Sequence, residues 1–201
     1  MPSTLMALDA DGVLLDYNQA YASAWARAFG RPPGLRDPQA YWVIDRWHVE
    51  RLTGDALGQF RACFDEEFWR TIPPIDGAVE ACWDLVEMGY SLVCVTALGL
   101  AFAEARAKNL RSHGFPIDRV IATSNHSGDR SPKADAIDRL SPVAFLDDYL
   151  PYHRGVASHV HKALILREPV GSPNIGPNLA LIDSQHVDLR AFAASWPSIR
   201  P

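Results

Sequence analysis

Short, wholly apolar runs alternate along the chain with longer stretches whose apolar positions recur at helical spacing. The strand-sized runs include Leu5-Met6-Ala7-Leu8, Leu92-Val93-Cys94-Val95 and Val143-Ala144-Phe145-Leu146. They predict strands over 4–8, 90–95 and 143–146, with two more at 119–123 and 163–166. Tyr17, Tyr21, Ala24, Trp25, Ala28 and Phe29 share one helical face and predict a helix over 17–29. Tyr41, Ile44, Trp47 and His48, then Leu57, Phe60, Phe64 and Phe68, extend helical spacing over about 37–69. Further helices are expected over 76–88, 100–113, 132–139 and 189–196, the first two closed by Gly89 and Gly114 and the third carrying Pro132 in its first turn. From 76 onward strands alternate with helices, which means a parallel sheet covered on both faces. Residues 17–72 carry no strand signal and read as an all-helical insertion after the first strand. The expected fold is therefore a Rossmann-like α/β core over 1–16 and 73–201, interrupted by the insertion.

Composition narrows the class. Of 201 residues, 48% are hydrophobic and 21% charged, enough apolar material for a packed core, which excludes disorder as the main state. The formal net charge is −5 and no Lys/Arg block occurs, which argues against a protein that grips nucleic acid or an anionic membrane surface through basic patches. No apolar run nears the roughly 20 residues of a membrane span, and Asp9 breaks the first one, so neither a span nor a signal peptide is expected and a cytoplasmic location is. Cys63, Cys82 and Cys94 form no Cys-x-x-Cys pair, and Cys82 and Cys94 read as small core residues rather than disulfide or zinc ligands.

The chemistry gathers where strands end. In an open parallel sheet, ligands bind beyond the carboxyl ends of the strands. The first strand runs into Asp9-Ala10-Asp11-Gly12, the second into Thr96, and the fourth into Asp147-Asp148, while Lys133 opens an intervening helix. Neighbouring strands would bring these groups to one edge. Clustered carboxylates repel unless a cation neutralises them, and an all-oxygen donor set selects a hard ion such as Mg²⁺. A hydroxyl and an ammonium suit phosphoryl oxygens, and a carboxylate beside them can attack phosphorus.

Asp9-Ala10-Asp11-Gly12-Val13 resembles the first motif of the haloacid dehalogenase superfamily, DxDG[TV]; Val93-Cys94-Val95-Thr96 resembles the second, Ser131-Pro132-Lys133 the third and Phe145-Leu146-Asp147-Asp148 the fourth. All four stand in order. The resemblance implies a phosphatase: Asp9 as nucleophile, Asp11 as general acid and then base, and Thr96, Ala97 and Lys133 on the phosphoryl group. It further implies Mg²⁺ held by Asp9, the backbone carbonyl of Asp11 and Asp147, with Asp148 in or beside the coordination sphere. Lys162 is the alternative to Lys133. An acid at Asp11 favours phosphoryl transfer over carbon–halogen cleavage, since a halide leaves without a proton. The insertion resembles a small helical cap. The implied substrate is a small phosphorylated metabolite. A sugar phosphomutase is the alternative within the superfamily, and a receiver-like or other non-catalytic phosphate-binding domain is the alternative outside it. A receiver lacks both the insertion and the late Asp-Asp.

Other polar residues have two readings each. Arg46 and His48 read the leaving group, or belong to a Trp-rich helix packing with the charge outward. Asn18 reaches the site or caps its helix. His126 lies on a loop at the same edge, and His153, His159 and His161, without i,i+4 spacing, read as structural.

Overall fold

The computed structural model describes residues 4–124 and 128–199; His126 lies outside them. Six strands, β1 (Thr4–Leu8), β2 (Tyr90–Ala97), β3 (Val120–Thr123), β4 (Ala144–Asp147), β5 (His161–Ile165) and β6 (Ser184–His186), form one sheet in the order β3-β2-β1-β4-β5-β6, every pair parallel. This is the doubly wound order whose direction reverses at the central strand. Met6 of β1 lies beside Leu92 of β2 and Ala144 of β4, which brings the residues following β1 and those ending β4 to the same edge.

Alternation along the strands divides the core. Met6, Leu8, Cys94 and Leu146 face one side, where they pack with Leu85 of α5 (Ala78–Glu87), Leu110 of α6 (Ala103–Ser112) and Phe192 and Trp196 of α8 (Leu189–Ile199). Ala7, Val93, Val95 and Phe145 face the other, against Ala136 and Ile137 of α7 (Ala134–Leu140). Both faces are thus covered, and this is why the central strands are continuous apolar runs. The Rossmann-like α/β fold expected from the sequence is the one observed.

Between β1 and α5 lie α1 (Tyr17–Phe29), α2 (Val43–Arg46), α3 (Gly54–Ala62) and α4 (Glu66–Arg70). Asp16 caps α1 by accepting from the Gln19 N–H, and Gly30, at φ 78°, ends it in the left-handed conformation a β-carbon would strain. The nearly continuous helicity expected over 37–69 is not found. Segment 35–48 is instead an irregular strap around the single turn of α2, pinned by bridges from Leu35 to Trp47 and from Ala40 to Val170. Its aromatic spacing serves turn packing: the Trp47 indole donates to the Asn18 carbonyl. Further along, Tyr21 and Trp25 of α1 pack their rings on Phe60 of α3. Phe60 and Phe68 belong to the same apolar cluster as Met6 and Trp196, so the insertion shares the nucleus of the core. All three cysteines are buried and free. Among the described residues no helix is long and apolar enough to cross a membrane.

Candidate active site

β1 delivers Asp9 to the sheet edge, and the chain then turns tightly. The Gly12 N–H donates to the Leu15 carbonyl, and φ at Gly12 is +89°. A β-carbon at Gly12 would collide with the Asp148 carboxylate, so glycine permits both the turn and the close approach of the acid following β4. One carboxylate oxygen from each of Asp9, Asp147 and Asp148 lies within 4.8 Å of the others. Lys133, just before α7 and wholly buried, reaches between two of them, its Nζ 2.5 Å from Asp9 Oδ1 and 2.6 Å from Asp147 Oδ2. Lys162 does not: its Nζ donates to the Val160 carbonyl and pairs with Asp183. The other oxygen of Asp147 accepts from the Tyr149 N–H, so each of its oxygens has one protein donor.

Burial dominates the electrostatics here. It raises the Asp9 carboxyl to about 6, against the pull of Lys133 and with a further push from Asp147. It also raises Asp148 well above the carboxylate range, reinforced by Asp147 and Asp9. Burial works to lower the Lys133 ammonium, but Asp147 and Asp9 outweigh it and hold it above its ordinary value. With all three ionised, the carboxylates would exceed the one ammonium by two negative charges, and among the described residues no donor reaches either carboxylate oxygen of Asp148. That charge and that all-oxygen donor set fit a divalent hard cation such as Mg²⁺.

Asp11 is held from another side. Arg106 of α6, entirely buried, donates from Nη2 to Asp11 Oδ2 at 2.8 Å. The remaining donors on Nε and Nη1 are buried without partners, as is Asp11 Oδ1. The guanidinium also lies 5.3 Å from the Trp69 ring centroid, tying α4 to the pair. Burial raises the Asp11 carboxyl while Arg106 opposes the rise.

A cavity of about 540 Å³ opens over these groups. Asp9, Asp11, Thr96, Ala97 and Asp148 line its polar end; Tyr17, Tyr41, Trp42, Trp69, Tyr149 and Tyr152 form aromatic walls; Asn18, Arg167 and Glu168 complete it. Lys133 and Asp147 stand behind Asp9, outside the lining. Among the residues expected to read a leaving group, the structure brings Asn18 to the cavity and leaves Arg46 and His48 out of the lining. Arg46 Nη1 donates to the Pro38 carbonyl and faces Glu168 at 3.6 Å, while His48 lies in a separate surface cavity beside Trp25 and Gly34 with the Arg36 Nε on its ring. Of the three later histidines, His153 is buried against Phe145, and His159 and His161 face Ser141 and Ser184.

Two site residues carried no motif. Arg106 looks like one more charge on a polar helix; its signal is position, four residues from both Phe102 and the fully buried Leu110, on the face that packs inward. Glu168 follows β5 and reaches the cavity through tertiary structure alone.

A family model described as "5' nucleotidase, deoxy (Pyrimidine), cytosolic type C protein" matches residues 3–127, a stretch that holds Asp9, Asp11 and Thr96. The chain belongs to that nucleotidase family. Lys133, Asp147 and Asp148 lie beyond the matched stretch and join the site through the fold. A protein of Bordetella pertussis named "Putative 5'(3')-deoxyribonucleotidase" is 33% identical over 97 residues, 47% of this chain and 50% of the relative. The chain spans about half the length of the curated relatives it matches. Among solved structures, a haloacid dehalogenase-like family hydrolase from Streptococcus pneumoniae superposes with a TM-score of 0.64 at 18% identity, covering 96% of this chain and 98% of that one. A haloacid dehalogenase family hydrolase from Deinococcus radiodurans, with bound phosphate and sodium, gives 0.62 at 15% identity over 99% and 98%. The superfamily resemblance carried by the four motifs is therefore borne out, in fold by the structures and in family by the nucleotidase match.

Proposed function

We propose that the chain is a Mg²⁺-dependent phosphomonoesterase that hydrolyses a deoxyribonucleoside monophosphate through an aspartyl-phosphate on Asp9. The observation that carries the reading is the carboxylate cluster around Lys133, facing an aromatic-walled cavity whose lining also holds Asp11 and Thr96. The family match and the names of the deoxyribonucleotidase relatives support a nucleotide as the substrate class, and flat aromatic walls suit a nucleobase.

The ion would be held by Asp9, the backbone carbonyl of Asp11 and Asp147, with Asp148 in or beside the coordination sphere. When bound, it offsets the charge of the phosphoryl group as that group is transferred. Lys133 orients Asp9 from behind and lowers the repulsion an incoming phosphate meets. Thr96 and the backbone of Ala97 hold phosphoryl oxygens at the end of β2. Asp9 attacks phosphorus, the ester bond breaks, and the departing oxygen takes a proton from Asp11, which lines the cavity beside Asp9. Asp11 then takes a proton from water, which attacks the phosphoenzyme and releases inorganic phosphate. Residues 17–72 act as the cap, and the strap bearing Tyr41 and Trp42 closes over the leaving group.

The decisive assay is phosphate release from deoxyribonucleoside monophosphates and from p-nitrophenyl phosphate, with Mg²⁺ or a chelator, for the wild type and Asp9→Asn. Turnover that needs the metal and falls to background in Asp9→Asn is the expected result. Turnover indifferent to the chelator, or surviving in Asp9→Asn, would overturn the mechanism.

A further inference from the structure

Away from the carboxylate end and the aromatic walls, the polar side chains lining the cavity are Asn18, Arg167 and Glu168. Glu168 is buried, and the donors that reach it converge on one oxygen. Arg167 Nη2 stands 3.0 Å from Oε1, Asn18 Nδ2 3.4 Å and Arg46 Nη1 3.6 Å. Among the described residues no hydrogen bond reaches Oε2. The carboxylate is also fixed in place. Arg46 is held by the Pro38 carbonyl, and two residues beyond Glu168 the Val170 N–H donates to the Gln39 carbonyl while the Tyr41 N–H donates to that of Val170. Turning the Glu168 side chain away would break its contacts with Arg167, Asn18 and Arg46, and the seam holds the loop after β5 against the strap that carries Arg46.

A carboxylate locked through one oxygen presents the other as a preorganised acceptor, and a hydrogen bond to an ionised group is worth more than a neutral one. Arg167 Nη2 also stands 3.6 Å from Asp16 Oδ2, so Glu168 and Asp16 together match Arg167 and Arg46; a cationic ligand gains little there, while an anion meets an acceptor with no proton to give. We infer that Glu168 is a specificity-determining residue: Oε2 accepts a hydrogen bond from a neutral hydroxyl or amine on the leaving group and turns away a leaving group that carries a second phosphate at that point. The inference rests on the nucleotide reading of the cavity and extends it to which nucleotides are accepted.

The test compares kcat/KM of the wild type, Glu168→Gln and Glu168→Ala on three substrates: a deoxyribonucleoside 5'-monophosphate, its 3',5'-bisphosphate and p-nitrophenyl phosphate, which has no donor. Glutamine keeps an oxygen for Asn18, Arg46 and Arg167. Relative to the aryl phosphate, the monophosphate should lose about ten-fold in both variants. Relative to the monophosphate, the bisphosphate should gain about ten-fold. Ratios within two-fold of wild type, or one common loss on all three substrates, overturn the inference. Nucleoside binding, read by quenching of Trp42 and Trp69 in the cavity wall, separates this from the catalytic reading. If the wild type hydrolyses no phosphomonoester, the mechanism above fails, yet about ten-fold weaker nucleoside binding in Glu168→Ala still supports Glu168. Equal affinity in wild type and variant, or no nucleoside binding by the wild type, overturns it.

Discussion

Two ion pairs of nearly equal length do opposite work in the cavity floor and in the insertion above it. In the floor, Lys133 Nζ lies 2.5 Å from Asp9, with the lysine wholly buried and the aspartate side chain 7% exposed. In the insertion, Arg27 Nη2 lies 2.6 Å from Asp65, with the two side chains 42% and 43% exposed. Distance alone would rank them together. Burial separates them: in the floor neither charge can fall back on water, so losing one partner strands the other, whereas water replaces either partner of the surface pair. The floor therefore uses charge to hold a configuration, and the insertion uses it as a minor supplement to its aromatic packing.

Lys133→Met tests the floor most severely. It leaves Asp9, Asp147 and Asp148 together without a cation, and breaking a buried pair from one side costs about 3–5 kcal/mol. Thermal unfolding in chelator should show a larger loss than a change at Arg106 or Asp65 brings, and added Mg²⁺ should restore part of it, because a cation at the same carboxylates offsets the same repulsion. A variant that melts like the wild type in chelator would show that these acids are protonated and indifferent to Lys133.

Arg106→Met comes next. Asp11 is 27% exposed, so the stranded carboxylate keeps some water and the expected loss is about 2–3 kcal/mol, below that at Lys133. Phosphomonoester turnover should fall further than stability predicts, since the acid loses the group that orients it, and Arg106→Lys should recover stability better than turnover because an ammonium cannot reproduce the guanidinium on Trp69. Turnover equal to wild type in Arg106→Met would remove Arg106 from the site.

The same contrast governs what was legible in the sequence. Each floor residue sits at or next to the end of an apolar run or at a helix start, and a parallel sheet converts those local positions into one edge. Asp9, Thr96, Lys133 and Asp147 could thus be placed together without any tertiary information. The roof is built from contacts far apart in the chain. Glu168 meets Asn18 across 150 positions, and the strap folds by bridging to Val170 rather than by continuing a helix. Apolar spacing over 37–69 does not separate a helix from an irregular segment: Phe60 and Phe68 are buried, while Ile44, on the same expected face, is 42% exposed. Arg46 and His48 stand out as candidates for the same reason, and only the path of the strap shows that neither lines the cavity. β6 leaves no mark in the apolar pattern, because Ser184, Gln185 and His186 form a three-residue polar edge strand.

Asp65 offers the smallest and most discriminating test of the comparison. Its carboxylate pairs with Arg27 and also caps α4 by accepting from the Phe68 N–H at 2.9 Å. The hydrogen bond from Arg27 is the largest of the influences that hold its carboxyl below the usual value of 3.8. A carboxyl lowered by folding stabilises the native state above its unfolded value, and that contribution is lost as pH falls below about 3.8 and through the lower folded value. Exposure keeps the charge component within about 0.5 kcal/mol. Asn keeps the cap and removes the charge, so Asp65→Asn should cost no more than about 0.5 kcal/mol, with the difference from wild type vanishing at acid pH. Ala removes both, and Asp65→Ala should cost about 1 kcal/mol and retain most of that cost in acid. Equal costs for the two variants at neutral pH would mean that the pair with Arg27, not the cap, supports α4, and that burial separates the two ion pairs less sharply than their exposures indicate.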